Sequence, residues 1–370
     1  QVDFGMTRDA QSVTDAVAAA IPTTIRLVVG ATVIAIILGI TIGIVTALRQ
    51  YSRFDYAMTF FAFLLFSLPI FWFAVLLKQY LAIGFNNFLT DPQVTPPWII
   101  GLSLFSGLFW ASVIGGDRRK VFTIFGIAAI GSAGMILLLG ALDWFRNPGL
   151  GPIVIFGASV GIAFAVTQLS TGLGVKAALK SSLAMAVFGL VFYYPAQWVM
   201  EQENHLLNFI LMAIVTIGVA ILTSRFFAKE DRAAVTRTAI ITAVLVAILI
   251  LVDKFMQTWA PYMATDAINY RPVPTVGQVN DLLEPGNFWI SSLDILMHMF
   301  LPTVALTLIS FAGYIRYSRG SLLEVLNQDY IRTDRAKGLT ERTVIMRHAF
   351  RNTMIPLTTL MVVDFAGIIG

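Results

Sequence analysis

The stretch RTDRAKGLTERTVIMRHAFRNTMIP, Arg332 to Pro356, lies between two long apolar runs and is the most basic segment of the chain. Whether it connects membrane helices or belongs to a water-exposed domain decides the fold. The 370 residues are 57% hydrophobic and 12% charged, with mean hydropathy +0.79, well outside soluble globular proportions. The segment is therefore a loop of an integral membrane protein.

Moving outward from it, about 20 apolar residues are needed for each helical crossing. Ten candidates meet that need: 21–48, 54–80, 98–116, 121–142, 151–169, 181–199, 206–225, 235–256, 292–315 and 352–370. The fold class is all-α and polytopic. Placing loop 49–53 inside and alternating from there puts 19 of the 25 Lys and Arg residues on one side, including every one from Arg316 to Arg351. That positive-inside bias assigns loop 316–351 to the cytoplasm and explains the net charge of +4 without nucleic acid. The chain opens on Gln1 and closes inside an apolar run, so further sequence is expected at the C-terminus and at the N-terminus. The first apolar run has no basic segment before it and is too long for a signal peptide.

Several chemistries have no foothold. The chain has no cysteine, and His205, His298 and His348 are far apart in sequence with no metal-ligand spacing. No nucleotide-binding glycine loop and no HExxH is present. The acidic residues Glu201, Glu203 and Asp364 do not assemble with a nucleophile or base. We expect no catalytic residues and no bound metal.

Within the spans, Gly30, Gly39 and Gly43, then Gly126, Gly131, Gly134 and Gly140, are candidates for close helix contact, against the plain enrichment of glycine in membrane helices. Pro69, Pro302 and Pro356 are candidate kinks that shape a path. Asp364, in VVDFAG, is costly in lipid and is either a polar contact on that path or a hydrogen-bonded packing residue. Trp98, Trp144, Trp198 and Trp259 fall near expected outer boundaries. The segments 81–97 and 257–291, rich in Pro, Asn and Gly, are expected as external loops.

Inside loop 316–351, apolar residues recur at helical intervals among the charges, which predicts short amphipathic helices. Gly338 supplies the positive φ of a tight turn between them, and Thr340 is placed to cap the helix that follows. A structured basic surface with apolar ridges suggests docking of another protein, against the alternative of a loop lying on anionic headgroups.

LLEVLNQDYIRTDRAKGLTERTVIMRHAFRNTMIPL resembles the cytoplasmic loop of the inner-membrane permease subunits of binding-protein-dependent ABC importers, in the oligopeptide, dipeptide and nickel branch. Gly338 matches the glycine of the family's loop signature, and Arg332, Thr333 and Asp334 stand where the general family has Glu-Ala-Ala. The peptide branch commonly has Arg-Thr-Ala there, so Asp334 is this chain's departure. Pro356 fits the later proline. DFGMTRDAQSVTDAVAAAIPTTIRL, LLFSLPIFWFAVLL and HMFLPTVALTLISFAGYIRYSRGSLLEVL resemble further family segments. Residues 98–256 lie outside the resemblance.

The resemblance implies an ABC type I importer permease core with an inserted six-helix hydrophobic region. Its expected parts are an external segment 1–20, core helices over 21–80, an external loop 81–97, the insertion 98–256, an external loop 257–291, and core over 292–370 with coupling loop 316–351. It implies a bacterial inner-membrane subunit that pairs with a second related permease, two ATPase subunits and an extracytoplasmic substrate-binding protein delivering a peptide. ATP and Mg would sit on the ATPases, with no cofactor on this chain. Asp329, Tyr330, Ile331, Arg332, Thr333, Asp334, Arg335, Ala336, Lys337, Gly338 and Leu339 would form the coupling element: Tyr330 and Ile331 for a pocket, Arg332, Arg335 and Lys337 for charge pairing. The rival readings are a stand-alone secondary transporter, which calls for ionisable pairs in mid-span and inverted repeats, and a polytopic enzyme acting on lipids.

Overall fold

A computed structural model describes residues 5–6, 12–229, 231–284 and 286–369. The expected external segment 1–20 therefore lies in part outside the described residues. Among those described, all regular structure is helical apart from one isolated bridge, Met6 to Ser12. The helices are α1 (Val13–Leu48), α2 (Arg53–Ser67), α3 (Ile70–Leu77), α4 (Phe85–Thr90), α5 (Pro96–Ile114), α6 (Arg118–Ala141), α7 (Gly151–Ser170), α8 (Lys176–Glu201), α9 (His205–Phe227), α10 (Arg232–Met263), α11 (Phe288–Leu326), α12 (Asp329–Ala336), α13 (Glu341–Thr343) and α14 (Phe350–Ile369). Two π-helical segments, Lys78–Gly84 and Val344–Ala349, lead into α4 and α14.

Eight of these helices are long and apolar enough to cross a membrane, and nine if α2 and the following Ile70–Thr90 stretch form one bent span. Ten spans were expected; the tenth, 352–370, ends outside the described residues. The chain is an all-α polytopic membrane protein. Its many exposed aromatic and aliphatic side chains, Phe60, Phe63 and Phe71 among them, follow from lipid being as apolar a surrounding as a protein core.

Four expectations are corrected. Pro69 does not kink a span but breaks it: Leu68 is extended (ψ 130), as a residue before proline tends to be, and the axes on either side differ by 104°. Residues 316–326 are the last turns of α11 rather than a separate amphipathic helix. Segment 81–97 is helical as far as Thr90, and Asn86 folds back to exchange two hydrogen bonds with the Val273 backbone (2.8 and 3.1 Å). Likewise α10 runs on to Met263, with Thr258 Oγ1 donating to Lys254 O at 2.9 Å.

The chain forms two compact units. Unit 1 is Gln1–Gly140, Asn269–Leu283 and Asp294–Gly370; unit 2 is Ala141–Ile268 and Glu284–Leu293. Unit 1 is centred on α1, α2, α11 and α14, which bury Ala35, Ile40, Leu65, Phe311, Tyr314 and Leu357 together. Glycine decides how near α1 and α11 come. A Cβ at Gly39 or Gly43 would overlap Tyr314 or Ser318, and Ser318 Oγ donates to Gly39 O at 3.2 Å across the gap. Gly30, Gly126, Gly131, Gly134 and Gly140 have nothing within 4 Å of such a Cβ, so close contact is not their role here.

Unit 2 is a bundle of α7, α8, α9 and α10. Near one end Asp253 is fully buried and serves as an N-terminal cap in trans, accepting from the backbone N–H of Leu150 at 2.6 Å. Tyr193 Oη and Gln257 Nε2 donate to its other oxygen at 2.6 and 2.7 Å. Beside it the buried Lys254 ammonium meets Glu201 at 2.8 Å and lies 5.7 Å from the Trp289 ring centre.

Candidate functional site

The site grows from the junction of α11 with α2. Asp55 is buried at the start of α2, where Ser52 Oγ accepts its N–H at 3.1 Å and Tyr51 N–H donates to its Oδ2 at 3.0 Å. Arg319 on α11 grips the same carboxylate with two bonds of 2.7 and 2.9 Å, the fork geometry of a strong charge-assisted pair. One helical turn earlier, the Arg316 guanidinium stacks 4.1 Å from the Phe66 ring centre. These contacts fix the end of α11, from which the loop departs.

Past Asn327 the chain turns into α12, and Ile331 is the residue that seats it. Its side chain is fully buried against Ala47, Leu322, Val344 and Ala349. Ile331 was expected to enter a partner's pocket; it fills the chain's own core instead, because the helical period that exposes Thr333, Ala336 and Lys337 turns Ile331 the other way. Tyr330 is exposed and its hydroxyl accepts from Asn352 Nδ2 at 2.7 Å. Asp329, Arg332, Thr333, Arg335, Ala336, Lys337 and Leu339 are also exposed.

The turn after α12 is a Schellman motif. Gly338 has φ +80°, its N–H donates to Arg335 O at 3.0 Å, and the Leu339 N–H donates to Asp334 O at 3.4 Å. Thr340 then caps α13 by accepting the Thr343 N–H, as its position in the sequence predicts. Arg335 spans the turn to Glu341 with bonds of 2.8 and 3.4 Å. Asp334, half-buried, faces His348 Nδ1 at 3.3 Å, so the residue that departs from the Arg-Thr-Ala pattern ties α12 to the π-helical segment before α14.

The path candidates fall elsewhere in unit 1 and are not one cluster. Pro302 lies inside α11 and lines a cavity of about 470 Å³ with Ile70, Lys78, Thr275 and His298. Asp364 on α14 accepts a 2.5 Å hydrogen bond from the Tyr314 hydroxyl, and Pro356 is exposed within α14. Asp55, Arg319 and Asp253 were not singled out in the sequence. Their signal was a charge in or beside a membrane span, weakened in each case by lying at the edge of an expected apolar run (54–80, 235–256 and 292–315). Among the described residues no group of three or more His, Cys, Asp or Glu is placed to hold a metal.

The family described as "Binding-protein-dependent transport system inner membrane component" matches residues 182–370, half of the chain, and so includes 182–256, which the resemblance in sequence had left out. The chain is similar to the oligopeptide transport system permease protein OppB of Mycobacterium bovis, 44% identical over 84 residues, covering 23% of this chain and 26% of that protein. The dipeptide transport system permease protein DppB of Escherichia coli K12 is 50% identical over 78 residues, 21% of this chain and 22% of its own. The oligopeptide transport system permease protein AppB of Bacillus subtilis is 39% identical over 104 residues, 27% of this chain and 31% of its own. The matched stretches thus span about a quarter of the length of these relatives. No solved structure matches the chain. With half its length matched and a capped helix-Gly-helix turn standing where the loop signature requires one, the chain belongs to the family of binding-protein-dependent transport system inner membrane components.

Proposed function

We propose that this chain is the transmembrane permease subunit of an ATP-driven importer of oligopeptides or dipeptides, and that α12 with its glycine turn is the surface that receives the motion of ATPase subunits. The observation that carries the reading is the two-sided character of α12. One side is anchored by Ile331 in the chain's own core, and the other presents Arg332, Thr333, Ala336 and Lys337 to water. A lever needs both, because a helix that was not anchored would absorb a push rather than transmit it. The exposed residues, with Tyr330 and Leu339 at the edges, would meet a groove on the ATPase through charge and shape complementarity. Arg335 would act mainly by holding the turn through Glu341.

In this reading the complex holds a second related permease, two ATPase subunits that bind ATP and Mg, and an extracytoplasmic protein that delivers the peptide. The chain supplies the path and the coupling, and hydrolysis belongs to the partners. Pro69, Pro302, Pro356 and Asp364 are offered as path-shaping residues, 316–351 as the cytoplasmic loop, and 98–256 as a six-helix region inserted into the core. The peptide substrate is supported by the relatives, whose names specify oligopeptide and dipeptide transport.

The test is affinity purification in mild detergent, followed by identification of co-purifying proteins and an ATPase assay. ATPase subunits and a second permease should come with the protein. They should be lost when Lys337 and Arg332 are reversed in charge and Gly338 is replaced by a bulky residue, with membrane insertion intact. A protein that purifies alone and moves solute into liposomes without ATP would overturn the proposal in favour of a stand-alone secondary transporter.

A further inference from the structure

Along the seam of α9 and α10 in unit 2 lie two features for which transport coupling has no use. At one end Arg225, Arg232 and Arg237 surround an open hollow floored by Thr236 and Ile240. Arg225 stands in the last turn of α9, Arg232 opens α10, and all three arginines are exposed. Among the described residues no carboxylate lies within 4.0 Å of any of them; Asp231 is next in sequence, and Glu230 lies outside the described residues. The N-cap residue of α10, Asp231, makes no side-chain capping bond, and the positive end of the helix dipole lies at the same place.

Further along the seam a groove of about 220 Å³ opens among α8, α9 and α10, with Phe188, Phe192, Ala213 and Ala247 in its walls. Thr216 is the one polar residue in its lining. The two features share a face of α10. Arg237 and Ile240 in the hollow, and Val244, Ile248 and Leu251 in the groove, follow one another at steps of three and four residues. At 1.5 Å per residue, the groove begins about 9 Å from Arg237 along the helix and ends about 21 Å from it. Half of a bilayer's hydrocarbon core is about 15 Å, so the groove lies at the depth reached by the end of an acyl chain whose headgroup rests at the arginines.

We propose that this seam is a binding site for an anionic phospholipid, its phosphate among Arg225, Arg232 and Arg237 and an acyl chain along the groove. The proposal commits to an anionic lipid because charge and groove are complementary to its two ends: a free anion would use the arginines and leave the groove unexplained, and a zwitterionic lipid would bring its phosphate with a cation beside it and so no net charge to three arginines. Basic pockets between membrane helices bind anionic headgroups by this logic.

The test is to titrate the purified full chain in detergent with phosphatidylglycerol, with phosphatidylcholine of the same acyl chains, and with inorganic phosphate. Retention is read by native mass spectrometry and by the thermal midpoint. Phosphatidylglycerol should bind at least about tenfold more tightly than phosphatidylcholine, and each Arg→Ala change at the three positions should weaken it about fivefold. Ala247→Phe, which narrows the groove and leaves the charges, should weaken both lipids and preserve their ratio. This variant keeps the proposal testable if the arginine changes fail to fold. Equal affinity for the two lipids, full retention in a folded triple-arginine variant, full retention by Ala247→Phe, or equal protection by inorganic phosphate would each overturn it.

Discussion

Replacing Ile331 with alanine tests the claim that α12 is held by one buried side chain. The residue has 0% exposure and packs on Leu322, Val344 and Ala349. The change removes three carbons, about 2.4 kcal/mol of transfer free energy at roughly 0.8 kcal/mol each, and the cavity left behind brings the loss to about 3 kcal/mol. The whole cost falls on the docking of α12, since eight residues do not sustain a helix in water without tertiary contacts. At about 1.4 kcal/mol per factor of ten, the detached form should become about a hundredfold more populated. Hydrogen exchange reads this directly at Lys337 and Gly338, whose N–H groups are held by Thr333 O and Arg335 O. Their exchange should accelerate by about that factor while amides in the middle of α11 keep their rates. Ile331→Val should show less than a tenth of the effect, the smaller deletion costing about 0.5–1.5 kcal/mol. Acceleration below about threefold in Ile331→Ala would mean that the Arg335 to Glu341 and Asp334 to His348 contacts hold α12 by themselves, and the anchoring argument would be wrong.

Three further outcomes follow from the packing. Gly43→Leu should drive α1 from α11 and reduce the yield of monodisperse protein, at a cost of about 3 kcal/mol or more for the overlap with Ser318, while Gly30→Leu should purify as the natural protein does. Asp253→Leu leaves the Leu150 N–H, the Tyr193 hydroxyl and the Gln257 amide without their acceptor; at about 1–3 kcal/mol for each buried donor it should lower the thermal midpoint far more than Asp253→Asn, which retains an oxygen. Because the chain has no cysteine, single cysteines at Gln50, Gln93 and Asn327 can be labelled cleanly in sealed vesicles. Positions 50 and 327 should react from the same side and position 93 from the other, and a shared side for 50 and 93 would refute the crossing of α2 with its bent continuation.

The helices were legible because a run of apolar residues long enough to cross a bilayer has few other ways to satisfy its backbone. The turn at Gly338 was legible too: a glycine between two amphipathic stretches, followed by Thr340, specifies a C-cap and then an N-cap by local chemistry alone. What escaped the sequence depends on which neighbour a helix meets. Ile331 reads as an exposed apolar ridge until Ala47, nearly three hundred residues away, is placed over it. Gly39, which contacts a neighbour, and Gly126, which does not, have the same chemistry and are separated only by the presence of α11 opposite one of them. Asp55 and Arg319 are 264 residues apart, so neither announces the other.

That last pair also decides a point that charge counting leaves open. If α2 and its bent continuation cross the membrane, 19 of 25 basic residues fall on one side. If the pair turns back on itself, every later loop changes sides, yet Arg8 and Arg26 change company with Arg49 and Arg53, and the tally is again 19 against 6. The positive-inside rule is therefore blind to the choice. The ion pair is not: Arg319 at the far end of α11 holds Asp55 at the near end of α2, and Ala47 packs on Leu322 and Ile331. Loops 49–53 and 327–349 thus share one end of unit 1, and the number of crossings between them must be even. Helices α5 to α11 supply seven, all long and apolar enough to span. If each of the seven crosses, the even count needs an eighth, and the broken pair at Pro69 is the element that, taken together, is long and apolar enough to supply it.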